Sequence, residues 1–123
     1  LTTVDLPPKL FRIGRRAFKG CTSLRFLILP VFVRDIGFDA FAGCTALERI
    51  ALPKGLCEVE DGDIFGGCDA LREISFGGSE EAFSLLFHGN TVTVEHTDCT
   101  VSTPKVICLN IEEKPREIQS IGT

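Results

Sequence analysis

The pattern LxxLxLPxxVxxIGxxAFxGCTx is written into this chain about three and a half times. Leu1, Leu24, Leu47 and Leu71 are spaced by 23, 23 and 24 residues. The other landmarks keep step: Leu6-Pro7, Leu29-Pro30 and Leu52-Pro53; Ile13, Ile36 and Val59; Phe18, Phe41 and Phe65; and Cys21, Cys44 and Cys68, each behind a glycine. One such unit cannot bury its own apolar face, so successive units must stack and share a continuous core. Repetition of this kind builds an extended surface, which argues for binding rather than for catalysis.

Leucines at the first, fourth and sixth positions of a period in this range are the leucine-rich-repeat signature, in which each unit gives one short strand to a parallel sheet. The expected fold is therefore α/β: a leucine-rich-repeat solenoid with a parallel β-sheet, about three and a half 23-residue repeats and a C-terminal capping module. In the second unit, Leu24, Leu27 and Leu29 alternate with Phe26 and Ile28, so one side of the strand faces the core and the other faces outward. Pro30 ends the strand, where loss of a ladder donor is tolerable because the chain turns away. Val33 and Ile36 lead to Gly37, and Ala40, Phe41 and Cys44 return beneath the sheet. The predicted core is Leu24, Leu27 and Leu29, a stacked spine of Phe18, Phe41 and Phe65, and a ladder of Cys21, Cys44 and Cys68 acting as small buried hydrophobes. Cys57, Cys99 and Cys108 lie outside that register. Cys99 and Cys108 flank a turn containing Pro104 and would pair only if their strands adjoin.

The third unit departs from the pattern. Val59 to Phe65 spans six residues where the earlier units use five, and the extra residue falls in the acidic stretch Glu58, Glu60, Asp61, Gly62, Asp63. An outward, solvated bulge is expected there. The stretch lacks the twelve-residue loop and terminal bidentate Glu of a calcium site. After Phe76 the register dissolves. Ser79 followed by Glu80-Glu81 reads as a capped helix start, and Phe83, Leu86 and Phe87 share a face of a helix running to about His88, with Gly89 placed to stop it. Thr91 to Glu95 and Lys105 to Ile111 alternate like strands. The chain is thus divided into repeats over 1–76, a cap over 77–111 that shields the last repeat from water, and a tail or linker over 112–123. No equivalent cap precedes Leu1, so further repeats or another domain are expected upstream.

Composition narrows the function classes. An apolar share of 44% supports a real core in a chain of 123 residues, and 17 acids against 13 bases, without a basic stripe, leave no footprint for a phosphate backbone. Nucleic acid is not an expected partner. The longest apolar run, Phe26 to Val33, is interrupted by Pro30 and falls far short of the ~20 residues needed to cross a bilayer, so no membrane insertion is expected.

The strings LRFLILPVFVRDIGFDAFAGCTA and LERIALPKGLCEVEDGDIFGGCDA resemble the repeats of the BspA-like, or Treponema pallidum-type, leucine-rich-repeat family, with the Leu-Pro, Ile-Gly, Ala-Phe and Gly-Cys landmarks in order. The resemblance is strong over residues 1 to about 76. The following GGSEEAFSLLFHGNTVTVEHTD is similar to the end module that often closes such arrays, with Phe83 where that module commonly has a Trp. The resemblance implies a bacterial surface or secreted protein, extracellular or on the cell surface, adhering to a host or bacterial surface macromolecule of protein class.

Candidate ligand-binding residues follow from the outward strand positions. These are Thr3 and Asp5, Phe26 and Ile28, Arg49 and Ala51, and Glu73 and Ser75. Phe26 and Ile28 are an apolar pair on an otherwise polar or small surface, which reads either as an interface hot spot or as a contact to a neighbouring loop or ordinary scattered surface hydrophobes. Arg49, with Arg25 and Arg72 nearby, reads either as a set of solvated charges or as a source of polar specificity, and Ala51 and Glu73 complete the candidate concave site. No catalytic residue, metal site or cofactor is predicted. Ser79 lacks the Gly-x-Ser-x-Gly elbow, Gly66-Gly67 and Gly77-Gly78 are followed by the wrong residues for a phosphate loop, and His96, Cys99 and Cys108 lack a fourth ligand at a zinc spacing. His88 near a helix C-terminus is explained by dipole complementarity. Two function classes remain: a non-enzymatic protein-binding or adhesion module, and a structural spacer or self-association array within a longer protein. An enzyme would owe its chemistry to a domain outside this sequence.

Overall fold

In the computed structural model the described residues are 6–60, 64–87 and 92–110. These residues form nine short strands and one helix in the order β1 (Arg12–Ile13), β2 (Phe26–Ile28), β3 (Asp35–Ile36), β4 (Arg49–Leu52), β5 (Glu58–Val59), β6 (Glu73–Phe76), α1 (Glu80–Leu86), β7 (Val94–Glu95), β8 (Val101–Ser102) and β9 (Lys105–Cys108). Thr3, Asp5, the Asp61–Asp63 part of the acidic stretch, His88, Gly89 and the tail from 112 lie outside the described residues.

The leucine-rich strands of the second, third and fourth units pair in parallel with one another. The main sheet runs β2-β4-β6-β9, with Phe26 opposite Arg49, Arg49 opposite Glu73 and Glu73 opposite Lys105. The register obeys the repeat because a slip by one residue would turn every core leucine outward. A second sheet, β1-β3-β5, is also parallel and places Ile13, Ile36 and Val59 in line. Sequence reading expected one sheet only. The Val-x-x-Ile-Gly segment is apolar at alternate ends and so falls into step with its neighbours as soon as the first sheet sets the stacking distance.

The third leg of each unit also bonds across the stack. Arg16 and Phe18 donate backbone N–H groups to Phe38 and Ala40 carbonyls at 2.9 and 2.8 Å, Gly20 donates to Ala42 at 2.9 Å, Phe41 to Ile64 at 3.2 Å and Gly43 to Gly66 at 2.7 Å. Buried backbone must be satisfied in this way once water is excluded. Gly20, Gly43 and Gly67 all have φ near +77°. At Gly67 an added Cβ would also sit 3.3 Å from Gly43 Cα, so this ladder needs glycine for its backbone angle and for close approach.

The core holds Leu24, Leu27, Leu29, Phe41, Cys44, Phe65 and Cys68. Phe18, Phe41 and Phe65 stack with centroids 5.7 and 5.9 Å apart. Phe18 and Cys21 are only half-buried, a correction to the uniform core expected from the repeat: both belong to the first described unit, where the neighbouring unit covers them from one side. The cysteine ladder is more than apolar filling. Cys44 Sγ and Cys68 Sγ donate to the carbonyls of Phe18 and Phe41, each at 3.1 Å. No disulfide joins any of the six cysteines, so Cys99 and Cys108 are not bridged.

Beyond Phe76, Ser79 caps α1 by accepting from Ala82 N at 3.1 Å, with Glu80 and Glu81 in the first turn as expected. The helix stops after Leu86, with Phe87 as C-cap. Phe83 and Leu86 are buried, and Phe83 lies 5.6 Å from the ring of Phe76 and 4.9 Å from Phe87. The β7-β8 pair is antiparallel. Its Glu95 carbonyl accepts from Gly67 N at 2.7 Å, prolonging the glycine ladder, and Asp69 holds Thr97 through N and Oγ1 at 2.9 and 2.8 Å. β9 then joins the main sheet beside β6.

Candidate functional site

The outer face of the main sheet carries two rows of side chains, set by the pairing. The first is Phe26, Arg49, Glu73 and Lys105; the second is Ile28, Ala51, Ser75 and Ile107. A further row, Arg25, Glu48 and Arg72, stands where the chain enters the strands. The five predicted ligand-binding residues, Phe26, Ile28, Arg49, Ala51 and Glu73, are therefore brought onto one face, but they are divided between two environments.

At the entrance, Glu48 is clamped between two guanidinium groups. Arg25 donates to Oε2 through Nε at 2.9 Å and Nη2 at 2.6 Å, and Arg72 donates to Oε1 at 3.3 Å. The Arg25 hydrogen bond, aided by the charges of Arg72 and Arg49, holds the Glu48 carboxyl below the usual carboxylate range. Phe26 lies under two cations, with Arg25 Cζ 5.4 Å and Arg49 Cζ 5.7 Å from its centroid. Contacts of this kind are worth about 0.5–1 kcal/mol at an exposed site. Phe26 is consequently half-buried beneath arginine rather than open to a partner. Arg49 has no ion pair among the described residues.

At the strand exits the character changes. An open groove of about 790 Å³ runs past Ile28, Ala51 and Ser75 and is walled by Pro30, Val31, Phe32, Pro53, Gly55, Gly77 and Leu109. Ile28 is 76% exposed, Val31 67%, Phe32 58% and Leu109 55%. Isolated surface hydrophobes are ordinary, but four large ones lining a single groove make a contiguous exposed apolar patch. Sequence reading found Ile28 and missed Val31, Phe32 and Leu109. Val31 and Phe32 sit in the turn after Pro30, and their apolar character at positions where the third unit has Lys54 and Gly55 was the available signal. Leu109 lies far away in sequence and reaches the groove only because β9 joins the sheet.

A second, smaller hollow of about 430 Å³ lies over the β1-β3-β5 sheet and is lined by charged residues including Arg12, Arg15, Asp35, Glu58 and Glu60. Arg15 and Glu60 already satisfy one another there.

Chemistry of other kinds finds little to work with. His96 Nε2 and Ser102 Oγ lie 2.7 Å apart, in a hydrogen bond whose direction depends on the imidazole tautomer. Asp69 Oδ1 is 3.8 Å from His96 Nδ1, too far for a hydrogen bond, and is committed to Thr97. The trio braces the β7-β8 pair against the third unit, and neither hollow is lined by it. Among the described residues no group of three or more His, Cys, Asp or Glu side chains is placed to hold a metal ion, and no helix is long and apolar enough to cross a membrane.

A family model described as BspA type Leucine rich repeat region matches residues 1–106, in six copies. The match continues well past Phe76, where the repeat is no longer legible by eye, and reaches into β9, which takes the place of a repeat strand in the sheet. Neither the curated proteins nor the solved structures compared with the chain match it. Repeats of this family are generally protein-interaction units, are typically non-enzymatic and typically belong to surface proteins. With its landmarks in register on two parallel sheets and the match spanning most of its length, the chain belongs to the BspA-type leucine-rich-repeat family.

Proposed function

We propose that this protein is an adhesion-type binding module of a bacterial cell-surface or secreted protein, recognising a protein on a host or bacterial surface through the outer face of its main sheet. On this reading residues 1–76 are a solenoid of about three and a half repeats that present the surface, and 77–111 close the array. The observation that carries the proposal is the exit groove. Ile28, Val31 and Phe32 from one stretch of chain and Leu109 from another expose apolar surface along one channel. Burying even half of that surface against a partner would be worth several kcal/mol at ~25 cal/mol per Å² of apolar area, before the costs of association.

The test is saturable binding of the domain to immobilised matrix proteins and bacterial surface preparations, beside an Ile28→Asp/Phe32→Asp variant whose fold is verified by circular dichroism. Binding that is lost in the variant supports the reading. Absence of binding to every preparation, or equal binding by parent and variant, counts against it.

A further inference from the structure

We infer that the groove takes a polypeptide segment in which a bulky apolar side chain stands two or three residues from a carboxylate. This deepens the reading above and rests on it. Four observations lead to the inference.

The first is relief. Along the second outward row the side chains run Ile28, Ala51, Ser75, Ile107 in strict register. Large residues stand on the outer strands and small ones on the inner pair. Strands lie about 4.8 Å apart, so the two small positions form a trough wide enough for one aromatic or leucine side chain, between Ile28 and Ile107. The trough is lined mainly by carbon.

The second is charge. The chain carries a formal net charge of −4, yet the entrance row and first outward row carry Arg25, Arg49, Arg72 and Lys105 against Glu48 and Glu73. The sign is reversed on this face. Arg25 and Arg72 are occupied by Glu48, whereas Arg49 has no ion pair among the described residues and rests over the ring of Phe26. Among the described residues its guanidinium donates to no carboxylate, although it adds to the positive field at Glu48, and a guanidinium in that state favours a carboxylate in a charge-assisted hydrogen bond.

The third is spacing. Arg49 and Ala51 occupy the same strand and the same face, two residues apart, which is about 7 Å. An extended segment lying along β4 would meet the trough and Arg49 with side chains at a matching separation. This sets the separation of the two recognition elements as well as their chemistry.

The fourth removes the obvious rival. A second copy of this chain would bring the same cationic face against itself, and like charges across an interface are repelled. An acidic, apolar partner segment is complementary on both counts.

The experiment is selection from a random dodecapeptide phage library on the immobilised domain, followed by calorimetry with a synthesised winner. The expected consensus is Phe, Trp or Leu two or three residues from Asp or Glu. Ala51→Trp, which fills the trough from an outward position, and Arg49→Glu are each expected to weaken the peptide about tenfold or more. Replacing the peptide carboxylate by its amide should remove most of the salt dependence. A basic consensus, no consensus, or affinity unchanged in both variants overturns the inference. If surface preparations still bind both variants, the adhesion reading stands and the proposed segment chemistry fails; if they bind neither parent nor variants, the adhesion reading fails first.

Discussion

Arg15 and Glu60 meet across two repeats. Arg15 Nε donates to Glu60 Oε1 and Nη2 to Oε2, both at 2.9 Å. Phe38, in the unit between, donates its backbone N–H to the same Oε1 at 2.8 Å. One carboxylate thus ties three successive units together. A parallel fork of this kind is the strong form of an arginine–carboxylate contact, and the Phe38 bond leaves little freedom for the carboxylate to move away.

That geometry predicts acid sensitivity of a specific kind. The Arg15 hydrogen bond, followed by the Phe38 N–H, lowers the Glu60 pKa to about 2, against an ordinary value of about 4.3. A carboxyl whose folded-state pKa is depressed adds stability that is complete above the ordinary value and is lost as pH falls through the folded-state one. Glu60→Gln should therefore melt below the parent at pH 7, with the gap closing between about pH 4 and pH 2. Thermal melts of both proteins across that range are the check, and an equal gap at pH 7 and pH 2 would contradict the assignment.

The phenylalanine spine is expected to dominate stability. Phe41 is fully buried between two stacked neighbours. Its truncation to Ala should cost about 3–5 kcal/mol, a large part of the roughly 5–15 typical of a domain. Phe18→Ala, at a half-buried end of the spine, should cost clearly less. Urea denaturation of the two variants side by side tests the ranking.

The glycine ladder allows two contributions to be separated. Gly20 and Gly67 share a φ near +77°, but an added Cβ meets nothing within 4 Å at Gly20 and meets Gly43 Cα at 3.3 Å at Gly67. Gly20→Ala should lose about 1–2 kcal/mol for the left-handed backbone alone. Gly67→Ala should lose more. Equal losses would mean that the stack yields easily at that point.

Thiol reactivity should follow the repeat. Burial raises the Cys44 thiol pKa, and Cys44 and Cys68 are fully buried donors, whereas Cys57 and Cys99 are exposed. Under native conditions iodoacetamide should modify Cys57 and Cys99 first and reach Cys44 and Cys68 only on unfolding. Peptide mass spectrometry over a time course reads this directly, and early modification of Cys44 would show that the stack opens locally.

The Ser79 cap predicts a modest, local effect. Ser79→Ala removes the bond to Ala82 N and should cost about 1 kcal/mol, while Ser79→Gly should cost only a few tenths. Hydrogen exchange in α1 should rise in the first variant, with the repeat strands unaffected.

The repeat made much of this molecule legible from its residues alone. The leucine positions imply the parallel strands and their register, because an error of one residue would expose every leucine. The phenylalanine stack and the Ser79 helix start follow from landmarks within a few residues of one another. Local pattern was sufficient because each unit contacts mainly its neighbours.

What remained hidden depends on atoms distant in sequence. The second sheet is made of two-residue strands, too short for periodicity to reveal. Arg15 and Glu60 belong to different units and meet only through the stacking of three, and Leu109 reaches the groove because β9 crosses back to pair with β6. Phe26 looked like an open hot spot, yet the folded chain lays Arg25 and Arg49 over it and moves the exposed apolar surface to the strand exits. The sequence by itself determined which side chains repeat, and hence the core and the register. Only the tertiary structure decided which outward side chains satisfy one another and which stay exposed, since that depends on distances of a few ångströms between residues that no local pattern relates.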